Sequence, residues 1–393
     1  MSELETVNVG IFGHIDHGKT TLLEKLSGKW ADTHSEELKR GITIKLGYAD
    51  AIISKDKDGY NVENKGKKIR HISFIDAPGH EMLMATTLSG AALIDTAILV
   101  VAANEGIKPQ TREHFMVLQS RGIKNIIVVQ NKIDLTDAEH AKKNHSEILK
   151  LLGDKYKDSP IIPISAQQGV NINLLLELIS EMEIPARDLK SKPLFAIARS
   201  FDINRPGLKP KDLHGAVLGG TLKRGTLKAG EEIEIKPGRK MKDGAGIKFV
   251  PLKTKILSLF KGSEKVEELT PGGSMSIETE LDMAIGKGDA LSGNLVSKIG
   301  ELPESTTIVK LKYNLFPEVF GIGAHAKVEN LKKGDVVMLS INTSITGGNI
   351  TDISKDSLTI SLKVPVIVFK EDDAGIAKNF AGHWRLIGAG KVE

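Results

Sequence analysis

The chain of 393 residues contains no cysteine, only two tryptophans, and 4% aromatic residues in all. Without thiols it can build neither a disulfide framework nor a thiolate metal site, so no zinc is expected. No apolar run approaches the about 20 residues that a membrane-spanning helix requires, and no membrane association is expected. The start, Met1-Ser2-Glu3-Leu4-Glu5, lacks the charged and apolar regions of a secretory leader. A cysteine-free chain of this kind is expected in the cytoplasm. The net charge of +4 is too small to define a partner by itself.

What is present is concentrated in short motifs. Residues 13–20 read Gly-His-Ile-Asp-His-Gly-Lys-Thr, the pattern of a phosphate loop. Val7 to Phe12 before it read as a buried strand, and Thr20 to Leu26 after it as the first turns of a helix. Gly13 and Gly18 permit a left-handed backbone there. Successive N–H groups then converge on phosphate at a helix N-terminus. In such a loop Lys19 meets the β and γ phosphates, and the Thr20 hydroxyl ligates Mg²⁺. Asn131-Lys132-Ile133-Asp134 follows the apolar run Ile126 to Gln130. A carboxylate at that strand end accepts from both the ring N–H and the exocyclic amine of guanine, a donor pair adenine lacks. Asn131 would bridge the base site to the phosphate loop while the Lys132 stem covers the base plane. Ser165-Ala166, after the strand Ile161 to Ile164, supplies a backbone N–H for the guanine carbonyl.

Between these motifs stand Asp76-Ala77-Pro78-Gly79, again at a strand end. Asp76 can hold Mg²⁺ through a water, and the Gly79 N–H can sense the γ phosphate. His80 lies where a nucleotide hydrolase needs a group to orient the attacking water. Thr43, in Arg40-Gly41-Ile42-Thr43-Ile44, can close the Mg²⁺ shell only while the γ phosphate is present. Its release on hydrolysis would let residues 29–44 loosen.

The organisation changes once along the chain. Over residues 1–187 strands alternate with helical patterns near 19–27, 81–93, 110–121, 137–152 and 171–183, the signature of an α/β sheet. Pro185 is expected to close the last helix, and residues 187–193 form a linker. Beyond it short β-rich runs appear, including Leu194–Ser200, Ala216–Leu222, Glu231–Ile235, Lys253–Phe260 and Ser357–Phe369. The expected architecture is an α/β P-loop GTPase domain over 1–190, followed by two all-β barrel domains over 191–302 and 303–393. Charge divides the middle of the chain. Residues 209–261 hold 13 Lys/Arg against 5 Asp/Glu, and residues 262–304 hold 3 against 9. The basic portion is expected to meet RNA phosphates.

The four motifs together resemble the translational GTPases of the elongation factor Tu group. Lys45-Leu46-Gly47-Tyr48-Ala49-Asp50, Arg199 to Gly207, and Trp384-Arg385-Leu386-Ile387-Gly388 narrow the resemblance to the gamma-subunit family of translation initiation factor 2. It implies a slow GTPase that cycles between GTP and GDP with Mg²⁺. It implies nucleotide contacts at Asp16, His17, Gly18, Lys19, Thr20, Thr21, Gly79, Asn131, Lys132, Asp134, Ser165, Ala166 and Gln167. A second Mg²⁺ near Asp16 and Gly41 is also implied. The implied partners are initiator methionyl-tRNA, the alpha and beta subunits of the same factor, and the small ribosomal subunit. Tyr48, Gly219 and Gly220 are candidates for the tRNA pocket. The family commonly carries a four-cysteine knuckle after Tyr48, where this chain has the polar insert 54–68, read as a short hairpin turning at Asp58-Gly59 and Lys65-Gly66. A Tu-type or selenocysteine-specific elongation factor would share the nucleotide motifs. A tRNA-binding scaffold with a structural nucleotide is the reading from another class.

Overall fold

The computed structural model describes residues 4–28, 46–78, 83–209, 213–244, 246–321 and 326–393. Its N-terminal sheet has seven strands: β1 (Thr6–Gly13), β2 (Gly47–Asp56), β3 (Gly59–Asn61), β4 (Lys67–Asp76), β5 (Thr96–Ala102), β6 (Asn125–Asn131) and β7 (Ile161–Pro163). They lie in the order β3-β2-β4-β1-β5-β6-β7. The strands from β4 to β7 run parallel, and β2 runs antiparallel to β4. Every residue of β1 and β5 is buried, as expected of parallel strands covered on both faces. The helices are Lys19–Ser27, Met84–Ala91, Pro109–Ser120, Ala138–Leu152 and Ile172–Glu181. Pro109 opens its helix where no backbone N–H is needed, and Asp137 caps the next by accepting from the His140 N–H at 2.8 Å.

Two departures from the sequence pattern have identifiable causes. The last of these helices ends at Glu181, before the proline. Arg70 on β4 donates to Ile179 O and Met182 O at 3.0 and 2.7 Å and so caps the final carbonyls early. The insert after Ser54 is a hairpin, but not a wholly polar one. Tyr60 and Val62 pack onto the core of the sheet beside Ile172, Leu178, Met182 and Ile184.

The following strands are antiparallel: β8 (Leu194–Phe201), β9 (Val217–Arg224), β10 (Leu227–Lys228), β11 (Glu232–Asp243), β12 (Gly246–Lys261), β13 (Glu264–Val266), β14 (Glu268–Leu269), β15 (Met275–Thr279) and β16 (Leu295–Lys298). Six of them close in the order β11-β16-β8-β9-β15-β12, with β11 pairing back onto β12. Phe195, Leu218, Ile233, Leu259 and Ile277 fill the interior. A second closed barrel is formed by β17 (Thr306–Leu315), β20 (Val336–Ile341), β21 (Ser344–Ile353), β22 (Ser357–Val366), β23 (Asp373–Phe380) and β24 (His383–Val392). The short strands β18 (Glu318–Val319) and β19 (Ala326–Lys327) pair with each other.

Two compact units divide the chain. One comprises Met1–Pro185, Leu315–Glu329 and Ala377–Gly388; the other comprises Ala186–Asn314, Asn330–Ile376 and Ala389–Glu393.

Candidate functional site

The phosphate loop, Asp76 and the Asn131–Asp134 motif lie at the carboxyl ends of the parallel strands β1, β4 and β6, the usual position of a nucleotide site in such a sheet. The loop after β1 turns sharply because two glycines allow it. Gly13 has φ +142° and Gly18 φ +88°. A Cβ on Gly13 would lie 2.4 Å from Val100 O, and one on Gly18 would lie 2.4 Å from Asn131 Nδ2. Asp16 also takes a left-handed conformation, φ 63°, and its side chain is exposed. Helix Lys19–Ser27 starts directly at Gly18.

The side chains of this loop are held tightly. Lys19, 6% exposed, donates to His14 O at 2.9 Å, so its ammonium lies across the loop's own backbone. The Thr20 hydroxyl donates to Asp76 Oδ2 at 3.2 Å, and Asp76 is fully buried at the end of β4. Thr21 follows, half-buried, on the same helical turn. His17 is fully buried, its Nδ1 lies 3.2 Å from Val100 O, and its ring meets His14 edge to face at 5.0 Å. Burial lowers the His17 pKa to about 4, leaving the ring neutral at physiological pH.

On the base side Asn131 joins three segments. Its Nδ2 donates to His17 O at 2.9 Å, and its Oδ1 accepts from the Ala166 N–H at 3.0 Å. One amide thereby fixes the phosphate loop against the turn that carries Ser165, Ala166 and Gln167. Ser165 and Ala166 are buried and Gln167 is exposed. Lys132, at φ 61°, donates to Glu105 Oε1 at 3.0 Å. Asp134 is exposed in the short 3₁₀ turn Ile133–Leu135. Gly41, Thr43, Gly79 and His80 lie outside the described residues.

Several residues at this site carry no motif. His114, fully buried in the middle of helix Pro109–Ser120, accepts from the Gly13 N–H through Nδ1 at 2.9 Å. Burial, reinforced by the nearby Lys19 charge, pushes its pKa down to about 3. Its neighbour Glu113 is 3% exposed and receives two hydrogen bonds from Arg385 Nη1, at 3.0 and 3.1 Å. Arg385 Nη2 donates to Gly321 O at 3.2 Å. Burial by itself would raise the Glu105 carboxyl. The Lys132 hydrogen bond and charge, with His17 and Lys108, outweigh that and hold it below the usual range. A buried histidine or glutamate inside a regular helix leaves no local signature; a lone arginine within the apolar Trp384-Arg385-Leu386-Ile387 was the single available signal.

Of the tRNA-pocket candidates, Tyr48 lies on β2 in the first unit, and Gly219 and Gly220 lie on β9 in the second. At Gly220 a Cβ would come within 2.0 Å of Ala196 O, so the strand pairing itself demands glycine there.

These features define a translational GTPase: a phosphate loop and guanine-type turn on an α/β sheet, followed by two β-barrels. Residues 4–185 match the Elongation factor Tu GTP binding domain, and residues 307–392 match Initiation factor eIF2 gamma, C terminal. The translation initiation factor 2 subunit gamma of Methanococcus vannielii is 47% identical over 100% of this chain and 99% of its own length. That of Archaeoglobus fulgidus is also 47% identical, over 100% and 96%. That of Pyrococcus abyssi is 45% identical, over 98% and 97%. The chain belongs to the family of translation initiation factor 2 gamma subunits and is a GTPase. Solved structures agree on the fold. A bacterial selenocysteine-specific elongation factor superposes with TM-score 0.75 at 26% identity, covering 99% of this chain, which spans 58% of that protein's length. The elongation factor SelB of Methanococcus maripaludis, solved with the GTP analogue GppNHp, gives TM-score 0.75 at 24% identity over 100% of this chain and 80% of its own.

Proposed function

We propose that this chain carries initiator methionyl-tRNA to the small ribosomal subunit in its GTP form and releases it after hydrolysis, working with the alpha and beta subunits of the same factor in the cytoplasm. The observation that carries the nucleotide half of this reading is the Asn131 amide, which fastens the phosphate loop to the Ser165–Ala166 turn. Whole-length kinship with initiation factor 2 gamma subunits supports the tRNA half. The domains assigned to the task are 1–190 for GTP, and the barrels 191–302 and 303–393, with Tyr48, Gly219 and Gly220 toward the tRNA end.

The residues present suit Mg²⁺. The buried Asp76 and the half-buried Thr20 bring a carboxylate and a hydroxyl together, the hard oxygen donors this ion takes. Thr20 would hold the ion directly, Asp76 through a water, and Thr43 would complete the set, with Asp16 and Gly41 near a second ion. When bound, Mg²⁺ neutralises charge on the β and γ phosphates. Lys19 exchanges its bond to His14 O for phosphate oxygens, and Gly18, Thr21 and the loop N–H groups hold the same anion. His17 stays neutral and anchors the loop to Val100 O. Asp134 accepts from guanine, the Lys132 stem covers the ring, and the turn at Ser165, Ala166 and Gln167 meets its carbonyl. Gly79 and Thr43 sense the γ phosphate, and His80 orients the attacking water. Unassisted turnover is slow, about 10⁻⁴ to 10⁻² per second. Among the described residues no helix is long and apolar enough to cross a membrane.

The test is affinity for methionyl initiator tRNA against methionyl elongator tRNA, each with a GTP analogue and with GDP. Preference for the initiator with the GTP analogue is expected. No preference and no nucleotide dependence would defeat the reading. Turnover of His80→Ala with ribosomes present should fall well below that of the parent chain; equal rates remove His80 from the chemistry.

A further inference from the structure

The turn that follows β5 brings one carboxylate beside Lys132. β5 and β6 run parallel in the register Ala102↔Asn131, and the Ala103 N–H donates to Asn131 O at 2.7 Å. The chain therefore leaves β5 alongside the residue that precedes Lys132. Two further bonds tighten the turn. The Glu105 and Gly106 N–H groups both donate to Ala102 O, at 3.2 and 2.9 Å. Gly106 takes φ +76°, the left-handed region that favours glycine, and lets the chain reverse there. The position of Glu105 is thus set by backbone hydrogen bonds on either side of it.

The Glu105 carboxylate faces three basic side chains but holds one. Oε1 accepts from Lys132 Nζ at 3.0 Å. Oε2 lies 3.8 Å from Lys108 Nζ and 3.9 Å from His17 Nε2, beyond hydrogen-bond distance of either. The Lys132 and Glu105 side chains are 25% and 28% exposed, so salt screens this pair less than one fully in solvent. The other end of Lys132 is fixed as well. Its backbone is left-handed, φ 61°, and Asn131 before it is tied to His17 O and to the Ala166 N–H. Backbone at one end and ammonium at the other leave the four-carbon stem little freedom.

That stem is the part of Lys132 assigned to the guanine plane. An unheld lysine samples many rotamers, and a nucleotide that takes its place beneath the stem must order them. A stem already drawn toward Glu105 removes that cost before the nucleotide arrives. The base itself cannot anchor the ammonium, because it offers its face to the methylenes and its edge to Asp134. Lys132 stands on the base side of the site, so the number of phosphates should not matter. Interactions of this kind act mainly on the rate at which a bound ligand leaves.

We propose that Glu105 is a positioning residue of the guanine site: it holds the Lys132 ammonium so that the stem stands ready over the base plane. This rests on the reading above that puts guanine beneath that stem. The test is a double-mutant cycle in the full-length chain, read as the dissociation rates of fluorescent GDP and of a fluorescent GTP analogue. Glu105→Gln keeps the size of the side chain and removes its charge. Lys132→Met keeps the stem and removes the ammonium. Each should speed release of both nucleotides by about fivefold, and the double variant should release them no faster than either single one. Release from Glu105→Gln at the parent's rate would overturn the proposal. So would losses that multiply in the double variant, as for a carboxylate that meets the nucleotide itself or steadies the phosphate loop through His17. A loss confined to one of the two nucleotides would overturn it as well. Lys132→Ala removes the stem, and should release both nucleotides faster still. If Lys132→Ala behaves as the parent does, guanine does not lie beneath the stem, and that reading fails together with the proposal. If Lys132→Ala is fast and Glu105→Gln is not, the reading stands and the proposal alone fails.

Discussion

Replacing Glu113 with Gln removes the opposite charge that faces a guanidinium in the interior of the first unit. Arg385 and Glu113 are 1% and 3% exposed, and both Glu113 oxygens accept from the same Nη1. Each charge left water to enter this position, and the other, with Gly321 O, helps to offset that cost. Removing one partner of such a buried pair typically costs about 3–5 kcal/mol, whereas exchanging both for apolar groups of similar volume is often neutral or stabilising. Glu113→Gln and Arg385→Met should therefore each destabilise by about 4 kcal/mol. For a unit of roughly 200 residues that is a fall in Tm of about 10 °C. The double variant Glu113→Leu with Arg385→Met should recover most of the loss. Denaturant and thermal unfolding of the full chain, run as a double-mutant cycle, give the coupling directly. If the single losses add, or the double variant is worse than either, the ion pair does not hold the unit and the reasoning fails. Nucleotide affinity gives a second readout, because the helix that carries Glu113 also presents His114 to the phosphate loop.

Removing the His114 acceptor leaves the Gly13 N–H unpaired. His114→Ala should weaken GTP and GDP alike by about tenfold, measured by titration with a fluorescent analogue. The same ring makes stability depend on pH. Its folded pKa, about 3, lies below the unfolded value of 6.5, so the neutral ring contributes fully above 6.5. As pH falls from there toward 3 the unfolded chain takes up a proton that the folded chain refuses. Stability should drop by about 1.4 kcal/mol per pH unit from this group, and His114→Gln should flatten the profile by that amount. Asp134→Asn replaces an acceptor facing the guanine donors with an amide. GTP affinity should fall by ~10³-fold while xanthosine triphosphate, whose extra carbonyl accepts from Asn, gains; equal losses for both bases would remove Asp134 from base recognition. Gly321 sits at φ +81° with the Arg385 guanidinium 2.8 Å from where a Cβ would be. Gly321→Ala should destabilise the first unit by about 2 kcal/mol or more in the same unfolding assay.

The sequence was most readable where function repeats a backbone pattern. The ends of β1, β4 and β6 and the start of the helix at Lys19 fall within two residues of their expected places, because apolar runs there stop at glycine or at a polar turn. The pairing of β11 with β12 beyond Ile235 was not readable as strand. Pro237, Gly238, Gly244 and Gly246 signal a loop, yet Gly238 serves a bulge within a continuing pair of strands. In the site, Asn131 could be placed from its motif, and its two hydrogen bonds follow from that position. Glu113, His114 and Glu105 could not, since their importance comes from what the fold brings beside them. His114 lies about a hundred residues from Gly13 in sequence and within hydrogen-bond distance in space. Arg385 is farther still from Glu113 along the chain, and only burial reveals the pair.

The hairpin at Gly59 has a consequence for how this factor meets stress. A knuckle built on thiolates can be opened by a chelator, by peroxide, or by scarcity of zinc. Here the corresponding segment is fastened by Tyr60 and Val62 lying on the sheet's apolar core. Oxidants have no sulfur ligand to attack there, because the chain has no cysteine. Its vulnerability is to temperature instead. Apolar attachment weakens on cooling, so the segment should peel first in the cold, where a metal-bound knuckle would keep its shape.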